Sequence, residues 1–513
     1  MDPITEIKST GEQEDDVTPL TPENPVTLEG EEVIFKDISK VQTFCYSVGH
    51  VLNDLCSAMW FSYFIIFFHQ VLEIDSVTAG NLVLIGQMAD AIGTPFVGYE
   101  SDRTTGCQLY GVRKSWHLFG VIGVASSFVF VFNNCIGCDS DTNILSKYIY
   151  YTPFICLFQF GWASSQISHL AIIPELTSCK KTRGNLNGYR YAFTVSSNIF
   201  VFVVFTILLS VLGGDSSSDN VGPQDLDAFK YLGMIVVGTG VFFMVVFHVG
   251  LKEPRRPEHD SLEASQNRNN SFTWKCWFKE PQFYIIGFVY MQTRLICNFT
   301  QVYYPLYIST TLNLSKTSIA VLPLVVFISG FLASLLMPVM NKFMGRKAIY
   351  FIALLLGFAY CTMAWFLKEG HNSGIQQIWH YLLSVIMGAA NGTLLVTALS
   401  LTSDMIGPRT HCGALAYGCF SFLDKISNGI AVQIAQVVQP ADMCEDFYRV
   451  CLTIVPGSFL VIAVLFWVVL LFCDVGNLRH DKRGEEGAQK NINGDEDSGI
   501  GEDNEKLGVE GKS

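Results

Sequence analysis

Charged and amide side chains stand in this sequence where an apolar chain tolerates them least. Hydrophobic runs carry His50, Asn53 and Asp54; Asp90; Gln159, Gln166 and His169; Arg190; Arg294, Asn298 and Gln301; Asn391; and the adjacent pair Asp424 and Lys425. An ionisable group at the centre of a membrane span costs at least roughly 2.5 to 3.5 kcal/mol on insertion scales, so those that persist line a polar cavity or pair with one another. His50 and Asp54 are four residues apart and share a helix face. Asp54 and Asp90 bring negative charge from the first part of the chain, and Arg294 and Lys425 bring positive charge from the second. The two parts are therefore expected to meet along an interface of mixed sign that binds a polar solute. Asp424 and Lys425 lie about 100° apart around a helix and cannot face one point. Lys425 is assigned to the cavity and Asp424 to a neighbouring helix, while Trp162 and His169 read as packing or cavity-wall residues. Neither HExxH nor GxSxG occurs, and no Cys or His spacing suits zinc, so no enzyme, cofactor or metal chemistry is expected.

Holding these groups at one depth requires spanning helices, and composition provides them. Of 513 residues, 50% are hydrophobic and 15% charged, with mean hydropathy +0.33, against roughly a quarter charged in soluble domains. Runs such as 319–340 and 231–247 suffice to cross about 30 Å of hydrocarbon. Apolar stretches predict helices near 43–72, 78–100, 115–134, 146–173, 188–212 and 229–250, then near 281–308, 317–340, 347–367, 376–402, 411–438 and 450–473. The fold class is an all-α membrane protein, twelve transmembrane helices in two six-helix halves. Residues 1–40 form an acidic tail, 41–250 the first half, 251–280 a polar linker, 281–475 the second half and 476–513 a second acidic tail. The tails hold much of the acid behind the net charge of -13, so that charge speaks for no partner and no nucleic-acid surface is implied. The partners expected are the lipid bilayer and a small-molecule substrate, with transport either coupled to a proton or uncoupled. No basic region followed by an apolar run and a cleavage site opens the chain, so the first helix is expected to act as its own insertion signal.

Lys and Arg concentrate in the even-numbered loops, which puts both tails and the linker in the cytosol. The second loop reads GYESDRTTGCQLYGVRK (98–114) and the eighth reads NKFMGRK (341–347), each after the second helix of its half. Gly98, Asp102, Arg103, Arg113 and Lys114, and in the repeat Gly345, Arg346 and Lys347, are read as cytosolic gating loops. The glycine allows a tight turn, and the acid and bases bridge helix ends. Of the fifteen cysteines, Cys135, Cys138 and Cys444 fall in loops of the opposite side, where a disulfide is open to them. Asn313 is the sequon left on that side.

The strings YSVGHVLND (46–54), DAIGTPFVGYESDR (90–103), IIPEL (172–176), YRYAF (189–193) and FLDKISNG (422–429) resemble the major facilitator superfamily, in its melibiose-permease-like branch of cation symporters. By that resemblance Asp54, Asp90, Arg190 and Lys425 stand where the branch places charged groups of its sugar and cation sites. Thr94 and Gln166 depart from it, standing where acids are usual. The longer strings GWASSQISHLAIIPEL, TRLICNFTQVYYPLYI and YGCFSFLDKISNGIAV look like a narrower animal group of the superfamily, which implies lysosomal and melanosomal membranes, a role in pigmentation and entry of cysteine into the lumen. The residues alone show a mixed-charge cavity suited to a zwitterion, to a sugar with a cation, or to other polar solutes. Substrate-binding and coupling residues are expected among Asp54, Asp90, Arg294, Lys425, His50, Asn53, Gln166, Arg190 and Asn298. An ATP-driven pump is disfavoured, since the terminal Gly511-Lys512-Ser513 only mimics a phosphate loop and position 506 is Lys. A receptor or scaffold on the same fold is the remaining alternative.

Overall fold

A computed structural model describes residues 38–103, 110–138, 142–177, 180–212, 221–254, 274–367, 374–407, 413–439 and 445–476. Twelve long helices and no strand occur among them. In chain order they are α1 (Lys40–Val71), α2 (Ser76–Arg103), α3 (Val112–Val131), α4 (Ile144–Leu176), α5 (Lys180–Leu212) and α6 (Leu226–Gly250). Then come α7 (Pro281–Leu306), α8 (Ser318–Met344), α9 (Arg346–Phe366), α10 (Gly374–Ile406), α11 (Gly413–Val438) and α12 (Glu445–Leu471). Eight of the helices are long and apolar enough to cross a membrane by composition. The four that fall short are α2, α4, α7 and α11, whose hydropathy is lowered by groups such as Asp90, Gln166, Arg294 and Lys425.

Packing repeats on a shift of six. The pairs α3–α4, α2–α4, α1–α6 and α3–α6 recur as α9–α10, α8–α10, α7–α12 and α9–α12. Between the two sets, α2 packs on α11, α5 on α8 and α1 on α7, which is the pattern of a pseudo-twofold. Because twelve helices alternate, the starts of α1 and α7 and the ends of α6 and α12 share one face, here the tail face.

On that face the two basic loops build the same clasp twice. Arg113 Nε reaches Glu175 Oε1 at the end of α4 (3.3 Å), and Arg346 pairs with Asp404 near the end of α10. Lys114 Nζ donates to the carbonyls of His248 and Leu251 (3.1 and 2.7 Å), closing α6, and Lys347 Nζ donates to those of Leu471 and Cys473 (3.5 and 2.7 Å), closing α12. Ammonium groups at helix C-termini satisfy carbonyls that have no intrahelical donor. Gly345 makes its turn with φ +75°, as expected. Gly98 does not: it lies inside α2, where an added Cβ would meet nothing within 4 Å. The turn glycine of the first loop is Gly111, φ +112°, two residues before the Arg-Lys pair. Asp102 and Arg103 close α2, and their side chains lie outside the described residues. Cys135 and Cys138 are disulfide-bonded on the opposite, far face; Cys444 lies outside the described residues.

Close helix crossings depend on glycine. A Cβ on Gly388 of α10 would fall 2.1 Å from Val326 O and Ser329 Oγ of α8, and one on Gly392 would fall 2.6 Å from Gly330 O. Gly388 and Gly392 are the small-xxx-small spacing that lets membrane helices touch backbones. Gly388→Leu should therefore force α8 and α10 apart. The expected result is a loss of folded protein, read as fluorescence-detected size exclusion of the tagged chain. A normal monodisperse peak would contradict the crossing.

Candidate functional site

Midway along their helices the charged groups sort into three arrangements. Lys425 Nζ on α11 lies 2.5 Å from Asp90 Oδ1 and 2.8 Å from Thr94 Oγ1 on α2, and Thr94 Oγ1 donates to Asp90 Oδ1 at 3.1 Å. This ion pair joins the first six helices to the second. Arg294 Nε on α7 meets Asp424 Oδ2 at 3.0 Å, while Asn298 Nδ2 donates to Asp424 Oδ1 at 3.2 Å. Asp424 thus faces a neighbouring helix, away from the partner of Lys425. On α1, Asp54 takes His50 Nδ1 at 2.9 Å on one oxygen and Thr194 Oγ1 of α5 at 2.9 Å on the other. Arg294 therefore does not meet Asp54 or Asp90 across the interface; its counter-ion comes from its own set of six. Helix rotation decides this, because Asp424 and Lys425, about 100° apart around α11, face α7 and α2 respectively.

A cavity of about 200 Å³ opens between α5, α7, α8 and α10, smaller than the roughly 300 to 1,000 Å³ of drug-sized sites. Its polar lining is Arg294, Asn298, Gln301, Asn391, Thr194 and Asn198. The Arg294 side chain is 28% exposed, whereas Asp424 behind it is 4% exposed. The cavity thus meets a guanidinium whose counter-ion is hidden from it.

Two of the expected site residues, Arg294 and Asn298, line this cavity; Asp54 touches its wall through Thr194, and Asp90, Lys425, His50, Asn53, Gln166 and Arg190 are not part of its lining. Asn53 Nδ2 donates to Trp162 O (3.2 Å) and its Oδ1 accepts from Ser165 Oγ (2.9 Å), fixing α1 on α4. Gln166 Oε1 accepts from Trp162 Nε1 at 3.0 Å. Arg190 is half-buried on α5, its Nε without a partner among the described residues. Sequence reasoning missed Thr194 and Asn198, though their i, i+4 spacing in an apolar helix was a signal, and it missed Gly330, Gly388 and Gly392, which also line the cavity.

The halves also touch along the far face. Lys316 Nζ meets the buried Asp225 Oδ1 at 3.0 Å, Gln70 Nε2 donates to Thr310 Oγ1 (3.3 Å), Ser76 Oγ to Gln436 O (3.2 Å), and Gln439 Nε2 lies 3.2 Å from His69 Nε2.

A family profile described as MFS/sugar transport protein matches residues 45–473. The chain is 42% identical over 469 residues to major facilitator superfamily domain-containing protein 12 of Homo sapiens, covering 87% of this chain and 96% of that one. It is 40% identical over 467 residues to the protein of the same name from Mus musculus, covering 87% and 97%. Among solved structures it resembles a D-xylose-proton symporter, with TM-score 0.63 and 16% identity over 83% of this chain and 96% of that one. The nucleoside transporter NupG gives TM-score 0.57 at 13% identity over 85% and 100%. These two likenesses speak for the fold alone.

Proposed function

Because this chain belongs to the MFS/sugar transport protein family of membrane transporters, we propose that it carries cysteine from the cytosol into the lysosomal or melanosomal lumen by alternating access. The moving units are residues 41–250 and 281–475, the tails and the 251–280 linker are cytosolic, and the far face is luminal. The observation that carries the reading is Arg294, partly exposed in a small cavity midway along the helices while Asp424 stays hidden. Asp424 engages Nε, so the terminal nitrogens of the guanidinium serve a ligand carboxylate. Asp54 lies behind Thr194 on the facing helix and supplies the opposite sign for an ammonium group. A desolvated zwitterion needs both. Cysteine, among zwitterions, is chosen on the likeness to the animal lysosomal and melanosomal group. Purified protein in vesicles should take up labelled cysteine saturably. Flux equal to empty vesicles would refute the substrate, and uptake of a sugar in its place would favour the cation-coupled sugar reading.

Topology is tested at exposed Lys279, just before α7 on the tail face. Lys279→Cys should react with an impermeant thiol reagent added from the cytosolic side of intact organelles; protection there would reverse the orientation.

Sodium should matter little. The ammonium of Lys425 sits against both Asp90 and Thr94, where a bound cation would need those oxygens, and Thr94 and Gln166 contribute no further charge. Replacing sodium by choline at fixed pH and potential should change uptake by no more than about twofold. A steep rise with sodium would contradict this.

A further inference from the structure

Four histidines of the first six helices, three of them buried and His248 half-buried, lie in one row between the cavity and the tail face. Ring centres are 5.8 Å apart for His50 and His169, 5.9 Å for His169 and His117, and 5.0 Å for His117 and His248. Their hydrogen bonds determine the tautomers. A carbonyl only accepts, so His117 donates through Nε2 to Gly49 O at 2.9 Å, and its Nδ1 is a bare acceptor. That nitrogen takes the Nε2–H of His248 at 3.1 Å, and His248 Nδ1 in turn takes the Tyr110 hydroxyl at 2.6 Å, on the tail face. Likewise His169 donates through Nε2 to Tyr46 O at 2.8 Å, which leaves Nδ1 bare. His50 donates through Nδ1 to Asp54, which leaves Nε2 bare. Both bare nitrogens, His50 Nε2 and His169 Nδ1, are buried without partners among the described residues. Two lone pairs in adjoining rings lack a donor. The carbonyls that hold His117 and His169 come from the break in α1, where the 3₁₀ turn Val48–His50 interrupts the helix. Gly49 is needed there, since a Cβ would fall 2.4 Å from the Phe247 ring and 2.7 Å from that of His169.

We propose that His50 and His169 form the binding site of a transported proton, which is held on His50 Nε2 against His169 Nδ1 with Asp54 as counter-ion. The inference rests on the transporter reading above. Protonation adds one N–H to His50, converting His50–Asp54 into an ion pair and giving His169 its missing donor. Release returns the proton and restores both lone pairs. The groups facing the chain are Asp54 and Tyr46 from α1, Lys114 from α3, Arg190 from α5 and Tyr110 before α3; Glu253 lies beyond Lys114. Asp54 is the carboxylate in contact with the chain, and through Thr194 it also touches the cavity wall. Proton and substrate thus share one acid.

The test uses full-length protein with nitrogen-15 histidine in lipid nanodiscs, titrated from about pH 8 to about pH 5 around the ordinary imidazole range. One imidazole signal should convert from neutral to imidazolium and be lost from the spectrum in His50→Gln. In His169→Phe its midpoint should move by about one pH unit or more. In vesicles, an inwardly directed or opposed pH gradient should change cysteine uptake by the unmutated protein, and His169→Phe should lose that response. Buried imidazoles that all stay neutral across the range, or a gradient response intact in His169→Phe, would overturn the proposal. Titration as expected without any cysteine flux would leave the proton site standing and sink the substrate reading instead.

Discussion

Lys425→Ala is expected to abolish cysteine uptake while leaving Asp90 stranded. Asp90 is 5% exposed, and Lys425 is its counter-ion on the facing helix. Removing one partner of a buried pair typically costs about 3 to 5 kcal/mol, since the remaining charge is left without solvent or counter-ion. Borne by the transport cycle alone, that is a loss of more than about a hundredfold. A double variant, Lys425→Ala with Asp90→Asn, removes the stranded charge and should restore thermal stability to near the unmutated value. Uptake should stay lost, because the charged link between α2 and α11 midway along them is gone. Lysosomes that carry Lys425→Ala at normal abundance and accumulate labelled cysteine at the unmutated rate would exclude any part for this pair in transport.

Arg294 should divide recognition from folding. Arg294→Ala leaves the buried Asp424 with Asn298 alone among the partners described above, so both stability and uptake should fall. Arg294→Lys keeps a positive charge beside Asp424 but loses the planar fork that can hold Asp424 and a second carboxylate together. In that variant the melting temperature should change little, whereas uptake should fall by about tenfold or more, the scale of one charge-assisted hydrogen bond. Binding isotherms for cysteine and for its decarboxylated amine sharpen the test. Discrimination between them should shrink in Arg294→Lys; unchanged discrimination would mean that the carboxylate binds elsewhere.

Much of this arrangement is legible in the sequence because membrane spans expose their exceptions. Asp54, Asp90, Arg294, Asp424 and Lys425 declare themselves as charges in apolar runs, and the helices that hold them follow from those runs. Partner choice was less accessible: the adjacency of Asp424 and Lys425 shows that they diverge, but only the rotation of α11 shows that Arg294 takes the first and Asp90 the second. Neutral lining groups such as Thr194 carry no insertion cost large enough to stand out. Hydropathy also misplaces helix ends beyond the hydrocarbon: α5 begins at Lys180 rather than near 188, since KKTRGNLN is polar yet helical. Gly98 was misjudged for a related reason, as α2 continues past the apolar run and moves the turn to Gly111. The row of histidines escaped notice because its members are far apart in sequence and each alone reads as packing.

The duplicated clasps have a mechanical consequence. Each ties helices of its own group of six through Arg113 and Lys114 or through Arg346 and Lys347, so swinging one group against the other leaves the clasps intact. The load of reorientation falls on the contacts between groups: midway along the helices the Asp90–Lys425 ion pair, and on the far face the Lys316–Asp225 ion pair and a few neutral hydrogen bonds. A neutral hydrogen bond is worth about 0.5 to 1.5 kcal/mol net, and the gain from a buried ion pair is largely offset by its desolvation. If the two groups reorient as proposed, the central Asp90–Lys425 pair is the catch that must yield, and the far-face contacts are a shallow detent beside it.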